Sequence, residues 1–93
     1  MKIFIDTKKI KKVDLETYYK TYSVYDSRGH FVGMMKNTPL VINVEGHYFY
    51  LDDICNNITD INTKNTVEMF IRCCKRGETN EKKIPNIVFR LLR

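Results

Sequence analysis

Alanine, glutamine and tryptophan do not occur in this chain of 93 residues. Alanine is ordinarily among the commonest residues, and its codons are GC-rich, whereas those of the abundant Lys, Asn and Ile are AT-rich. The bias therefore points to an AT-rich genome, such as that of a phage, a large DNA virus, a mobile element or a low-GC bacterium. Long apolar runs are also missing: none approaches the roughly 18 residues that a membrane span requires. Met1 to Asp6 turns polar too early for a signal-peptide core. No membrane association is expected, and the expected location is intracellular, in the cytoplasm or, for a viral protein, the host cytoplasm or nucleus.

Cysteine is scarce. There are three, and Cys73 and Cys74 are neighbours whose Cα atoms sit too close for an ordinary disulfide. All three, with Cys55, are expected as free thiols in a reducing compartment, where the sequon at Asn57 is idle. Catalytic and metal-binding patterns are absent too. His30, His47, Cys55, Cys73 and Cys74 show neither CxxC nor HxxxH spacing, so no metal and no cofactor is expected. Each histidine opens a predicted strand just after a turn, an ordinary surface position. Asp52-Asp53 diverge at a strand end and read as a solvated cap. Glu81-Lys82-Lys83 contains a Glu-x-Lys fragment but no upstream acidic partner. No residue is assigned a catalytic role, and a small ribonuclease built on the histidines ranks third among the readings.

A hydrophobic content of 43% with 29% charge fits a single globular domain over 1–93 with a modest core. The clearest element is a β-hairpin at 39–51. Leu40, Ile42 and Val44 alternate before Glu45-Gly46, and His47, Phe49 and Leu51 alternate after it. A two-residue loop pairs Ile42 with Phe49 on a core face, and Val41 with Tyr50 and Asn43 with Tyr48 on the other. An earlier hairpin is predicted at 22–35 around Asp26-Ser27-Arg28-Gly29, with the composition of a type I turn. Lys2 to Asp6 reads as a strand, and residues 8–22 fit helix and strand equally. A helix is predicted over 63–76, with Asn65 to Glu68 as a capping box, Val67, Phe70, Ile71 and Cys74 as the buried stripe, and Gly77 as the stop. After a polar loop at 77–83, Asn86 to Leu92 carries apolar residues on both faces and is expected inside the sheet. The fold class expected is α+β, a mostly antiparallel sheet of about five to six strands with one main helix.

The net charge is +5 and is unevenly placed. Residues 1–36 carry net +4, residues 37–63 net −4, and residues 64–93 net +5. Lys8, Lys9, Lys11 and Lys12 form one basic patch, and Arg72, Lys75, Arg76, Lys82 and Lys83 another, with Tyr18, Tyr19, Tyr22, Tyr25 and above all Tyr48 and Tyr50 as candidate stacking surfaces. These residues are the expected binding site for nucleic acid or a nucleic-acid-associated protein. The acidic hairpin would repel phosphate, so it is expected to point away from the basic side. Val41, Tyr48 and Tyr50 would form an exposed apolar patch if the helix covers only the opposite face, which leaves a homodimer open.

One stretch resembles a known family. Gly46 to Ile54, followed by Ile58, Asn62 and the helix through Val67 and Phe70, is similar to the strand-then-helix core of the BRO N-terminal domain of viral and phage regulators. Phe49 and Tyr50 match its aromatic pair, Asp53-Ile54 its Asp-aliphatic step, and Asn62 a polar residue before its recognition-side helix. The stretch covers about a third of the chain, lacks the family's usual Trp, and has no matching upstream pattern. The resemblance implies DNA binding in a virus-type regulator. The sequence thus leads to a small non-catalytic viral, phage or mobile-element accessory protein that binds nucleic acid. A host-defence inhibitor of the anti-CRISPR kind, or an adaptor acting by protein contact, is the alternative.

Overall fold

A computed structural model of the chain describes residues 1–77 and 85–93. Along the chain lie β1 (Lys2–Ile5), α1 (Leu15–Tyr22), β2 (Ser23–Tyr25), β3 (Phe31–Met34), β4 (Val41–Val44), β5 (His47–Tyr50), α2 (Leu51–Asn56), α3 (Ile61–Lys75) and β6 (Val88–Leu91). The mixed α+β class holds, but the sheet of five to six strands does not form. The strands pair only two by two, β2 with β3 and β4 with β5 antiparallel, and β1 with β6 parallel. Each strand has three or four residues. Strands so short turn few side chains inward: Ile3 and Ile5 of β1, Val44 of β4 and Phe49 of β5 are buried, and no residue of β2, β3 or β6 is.

The core gathers Ile3 and Ile5 of β1, Ile10, Val44 and Phe49 of the β4–β5 hairpin, Leu51, Ile54 and Cys55 of α2, and Val67 and Ile71 of α3. In β1 the two-residue period turns Ile3 and Ile5 inward and leaves Phe4 58% exposed. β6 is an edge strand rather than a central one. Val88 and Leu92 are exposed, while Phe89 packs edge-on against Phe70 of α3 with ring centroids 5.9 Å apart. Its apolar residues on both faces are explained only in part, since one face meets water.

The main helix begins two residues earlier than 63 and is capped by Asp60, not by Asn65. The Asp60 carboxylate accepts from the Thr63 amide at 2.9 Å and the Thr63 hydroxyl at 2.7 Å; these bonds, the hydroxyl's first, hold its pKa below the ordinary value. Val67 and Ile71 are buried as expected, but Cys73 rather than Cys74 takes the inward position. Two adjacent cysteines are chemically equal, so the phase of the stripe is set by what α3 packs against. α2 was not anticipated; Asp52 and Asp53 occupy its first turn, where the helix dipole favours carboxylates. Between 8 and 22 the chain is a turn followed by a helix. Asp6 accepts from the amides of Lys8, Lys9 and Ile10, and Asp14 precedes α1 and accepts from the Thr17 hydroxyl at 2.7 Å.

The 39–51 hairpin has the expected register, Ile42 opposite Phe49 and Val41 opposite Tyr50. Its turn places both Glu45 (φ 50°) and Gly46 (φ 88°) at positive φ, the type I′ geometry that matches strand twist. Glu45 is an unusual residue there, and long-range bonds hold it. Its carboxylate accepts from the Leu91 amide at 2.6 Å and from Arg93 at 2.5 Å, tying the turn to β6. The Leu91 amide, and then Arg93, keep the Glu45 carboxyl below its ordinary pKa of 4.5. A depressed folded-state pKa contributes stability above the unfolded value that is lost as pH falls through the folded one. In an NMR titration the Leu91 amide should therefore shift with a midpoint below 4.5. In Glu45→Gln it should not titrate. A flat profile in the wild type would rule out the clamp.

Candidate binding surface

The Lys8 to Lys12 patch owes its exposure to the one apolar residue inside it. Ile10 is 6% exposed and belongs to the core, so the chain is nailed down at its centre while Lys8, Lys9, Lys11 and Lys12 are left in solvent. Immediately after it, the Val13 amide donates to the Tyr48 carbonyl at 2.7 Å, which draws the start of α1 onto β5. α1 itself has no buried residue. It lies across the second face of the β4–β5 hairpin with Leu15, Tyr18 and Tyr22 half-buried.

Between α1 and the hairpin runs a half-open cleft of about 320 Å³, bordered by Lys11, Lys12, Val13, Asp14, Thr17, Tyr18, Thr21, Tyr22, Tyr50 and Asp53. Tyr18 is its pivot. Its ring meets those of Tyr19, Tyr22 and Tyr50 at centroid separations of 5.4, 5.3 and 6.2 Å, and its hydroxyl donates to the Pro39 carbonyl at 2.9 Å. Burial first, and then the neighbouring phenols, push the Tyr18 pKa up. Burial, followed by Tyr22 and the Asp53 carboxylate, does the same to Tyr50. Both phenols stay neutral at physiological pH and remain hydrogen-bond donors. The cleft thus brings tyrosine rings, hydroxyls, two ammonium groups and two carboxylates around one opening.

The structure modifies several expectations about the site. Val41, Tyr48 and Tyr50 do not form a fully open apolar patch, because Leu15, Tyr18 and Tyr19 share a cleft with Val41 and Tyr48 and the Tyr18 ring lies tilted against that of Tyr50. Tyr48 and Tyr50 are half-buried rather than open to solvent. The acidic segment does not point away from the basic one throughout: Asp53 borders the tyrosine cleft with Lys11 and Lys12, and a second cleft with Lys9, Lys11, Asn56 and Asn57. The remaining acids of that segment have structural partners or a helix start, with Glu45 on β6 and Asp60 on α3.

Arg72 and Lys75 lie in the last turn of α3, where cations suit the helix dipole, and Arg76 follows as the C-cap. The clefts beside Lys9, Lys11 and Lys12 take their other walls from α1, the hairpin and α2. Lys82 and Lys83 lie outside the described residues. His30 sits at the tip of the β2–β3 hairpin with Nδ1 3.6 Å from Asp26, and His47 is exposed at the start of β5. Among the described residues no group of three or more His, Cys, Asp or Glu is placed to hold a metal ion, and no helix is long and apolar enough to cross a membrane.

Of the residues bordering the tyrosine cleft, Tyr18 and Tyr22 are among the tyrosines named as stacking candidates and Asp53 reads from the sequence as a cap, whereas Thr17 and Thr21 carry no assignment. The signal that groups four of them is the i, i+4 spacing of Thr17 with Thr21 and Tyr18 with Tyr22, which puts each pair on one helical face. It becomes legible only once 15–22 is known to be helix. Comparison with protein-family models, with curated proteins and with solved structures returns no match.

Proposed function

We propose that this chain is a non-catalytic binding module that contacts nucleic acid through Lys8, Lys9, Lys11 and Lys12, with the α3 terminus at Arg72, Lys75 and Arg76 as a second phosphate-facing surface. The observation that supports this most is the splaying of four exposed lysines around buried Ile10, next to a cleft bordered by tyrosines. Ammonium groups held outward on an anchored turn meet phosphates at small ordering cost, and base edges or rings can enter the adjoining cleft. The likeness of residues 46–70 to the BRO N-terminal domain supports the same reading, and a viral or phage regulator is the proposed setting. β5, α2 and α3 follow one another there in strand-then-helix order.

The test is a binding titration with single-stranded and duplex DNA and RNA at two salt concentrations. The expected result is a complex at low salt whose log affinity falls against log salt by about 0.9 per duplex phosphate engaged. Absence of any complex at low salt would sink the proposal. A second reading, an inhibitor or adaptor acting on a protein, is favoured by the carboxylates of Asp14 and Asp53 inside the cleft, which repel phosphate but suit basic side chains of a protein partner. Capture of a host protein that survives nuclease treatment, with no nucleic-acid complex, would favour it.

A further inference from the structure

Resting on the nucleic-acid reading, we propose that the tyrosine cleft takes one unpaired guanine of a single strand, with the Asp53 carboxylate accepting from its N1–H and N2–H groups. Three chemistries meet at the opening: the rings of Tyr18, Tyr22 and Tyr50, the ammonium groups of Lys11 and Lys12, and the carboxylates of Asp14 and Asp53. A ligand that answers all three is flat, carries negative charge, and presents N–H donors that are not themselves cationic. A nucleotide does so. A lysine or arginine side chain of a protein answers the carboxylates but meets Lys11 and Lys12 with like charge, and an apolar side chain leaves the carboxylates unpaired.

The two carboxylates are not equivalent. Asp14 precedes α1 and already accepts from the Thr17 hydroxyl at 2.7 Å. Asp53 is exposed in the first turn of α2, and among the described residues no hydrogen bond or ion pair engages its carboxylate. An ionised carboxylate accepts and never donates, and its paired oxygens suit adjacent donors. Guanine alone among the bases offers such a pair, N1–H beside N2–H, on its Watson–Crick edge. Adenine, cytosine, thymine and uracil each set an acceptor beside the donor there, which a carboxylate repels.

In a duplex that guanine edge is paired and the ring is stacked, so only a single strand presents it. The size of the cleft agrees. At about 320 Å³ it falls at the lower end of cavities that hold small molecules, the scale of one base rather than a base pair. The rings are set before a ligand arrives: Tyr18, Tyr22 and Tyr50 are half-buried, and the Tyr18 hydroxyl is tied to the Pro39 carbonyl at 2.9 Å. Contact with them therefore costs little ordering.

The test is a fluorescence-anisotropy titration of the full chain at low salt with labelled strands of equal length: oligo-dT, and oligo-dT carrying one central dG, dA or dC. The dG and dA strands are also annealed to their complements. The expected result is about tenfold tighter binding of the dG strand than of the other three, and no difference between the two duplexes. Asp53→Asn, whose amide sets a donor beside its acceptor, should bring the dG-to-dT ratio to near one. A merely electrostatic effect of Asp53 would move every strand alike and keep the ratio. Lys8→Ala with Lys9→Ala should weaken every strand and also keep it. Equal affinity for all four single strands overturns the guanine site and leaves the nucleic-acid reading standing, whereas binding of none overturns both. A dG preference that persists in the duplex, or in Asp53→Asn, overturns the unpaired base or the Asp53 acceptor respectively.

Discussion

Replacing Phe49 by alanine should destabilise the chain by about 3–5 kcal/mol, most of the stability expected of a domain this small. Phe49 is fully buried, among the largest such side chains in the molecule. It sits in β5 opposite Ile42, where the hairpin, α2 and β1 meet in one cluster. Removing the ring leaves a cavity that short strands pinned at both ends cannot collapse to fill, so the transfer and cavity contributions add. Urea unfolding followed by circular dichroism should show the midpoint collapsing toward zero denaturant. Phe4→Ala is the matched control: the same side chain is lost from a position 58% exposed, and the expected change is within about 0.5 kcal/mol. Equal effects for the two would contradict the packing described above.

The second large effect concerns binding. With Lys8, Lys9, Lys11 and Lys12 all changed to alanine, four phosphate contacts are lost and the salt slope should flatten by about 3.6. On raising salt from about 50 to 200 mM, the wild type should then lose about 100-fold more affinity for duplex DNA than the variant does. Because these side chains project from an anchored turn and take no part in the core, thermal stability should be little changed. A variant with the wild-type slope would remove this patch from the interface and leave the α3 terminus to carry the contact.

The two patches differ in how directly the chain announces them. Four lysines clustered at 8–12 can be read as a basic patch from the residues alone, whereas the turn and the buried Ile10 that splay them outward belong to the fold. The tyrosine cleft could not be read, since it depends on α1 being helical and on Val13 bonding to Tyr48, a partner distant in sequence. The same division runs through the fold. The hairpin at 39–51, its register and its Glu45-Gly46 turn follow from a two-residue alternation and a local dipeptide, and Asp26 to Gly29 likewise carries its own turn chemistry. These are short-range effects, complete within about ten residues.

What lay beyond local pattern was settled by groups far apart in the chain. The parallel pairing of β1 with β6 joins the two ends. The hold of Leu91 and Arg93 on Glu45 spans nearly half of the chain. Cys73 rather than Cys74 faces inward, and Phe4 meets water while Phe49 fills the core. In each case the competing residues or pairings are equivalent locally. Only the surfaces brought against them in three dimensions remove the degeneracy, since burial and hydrogen-bond partners are properties of the assembled chain rather than of any segment.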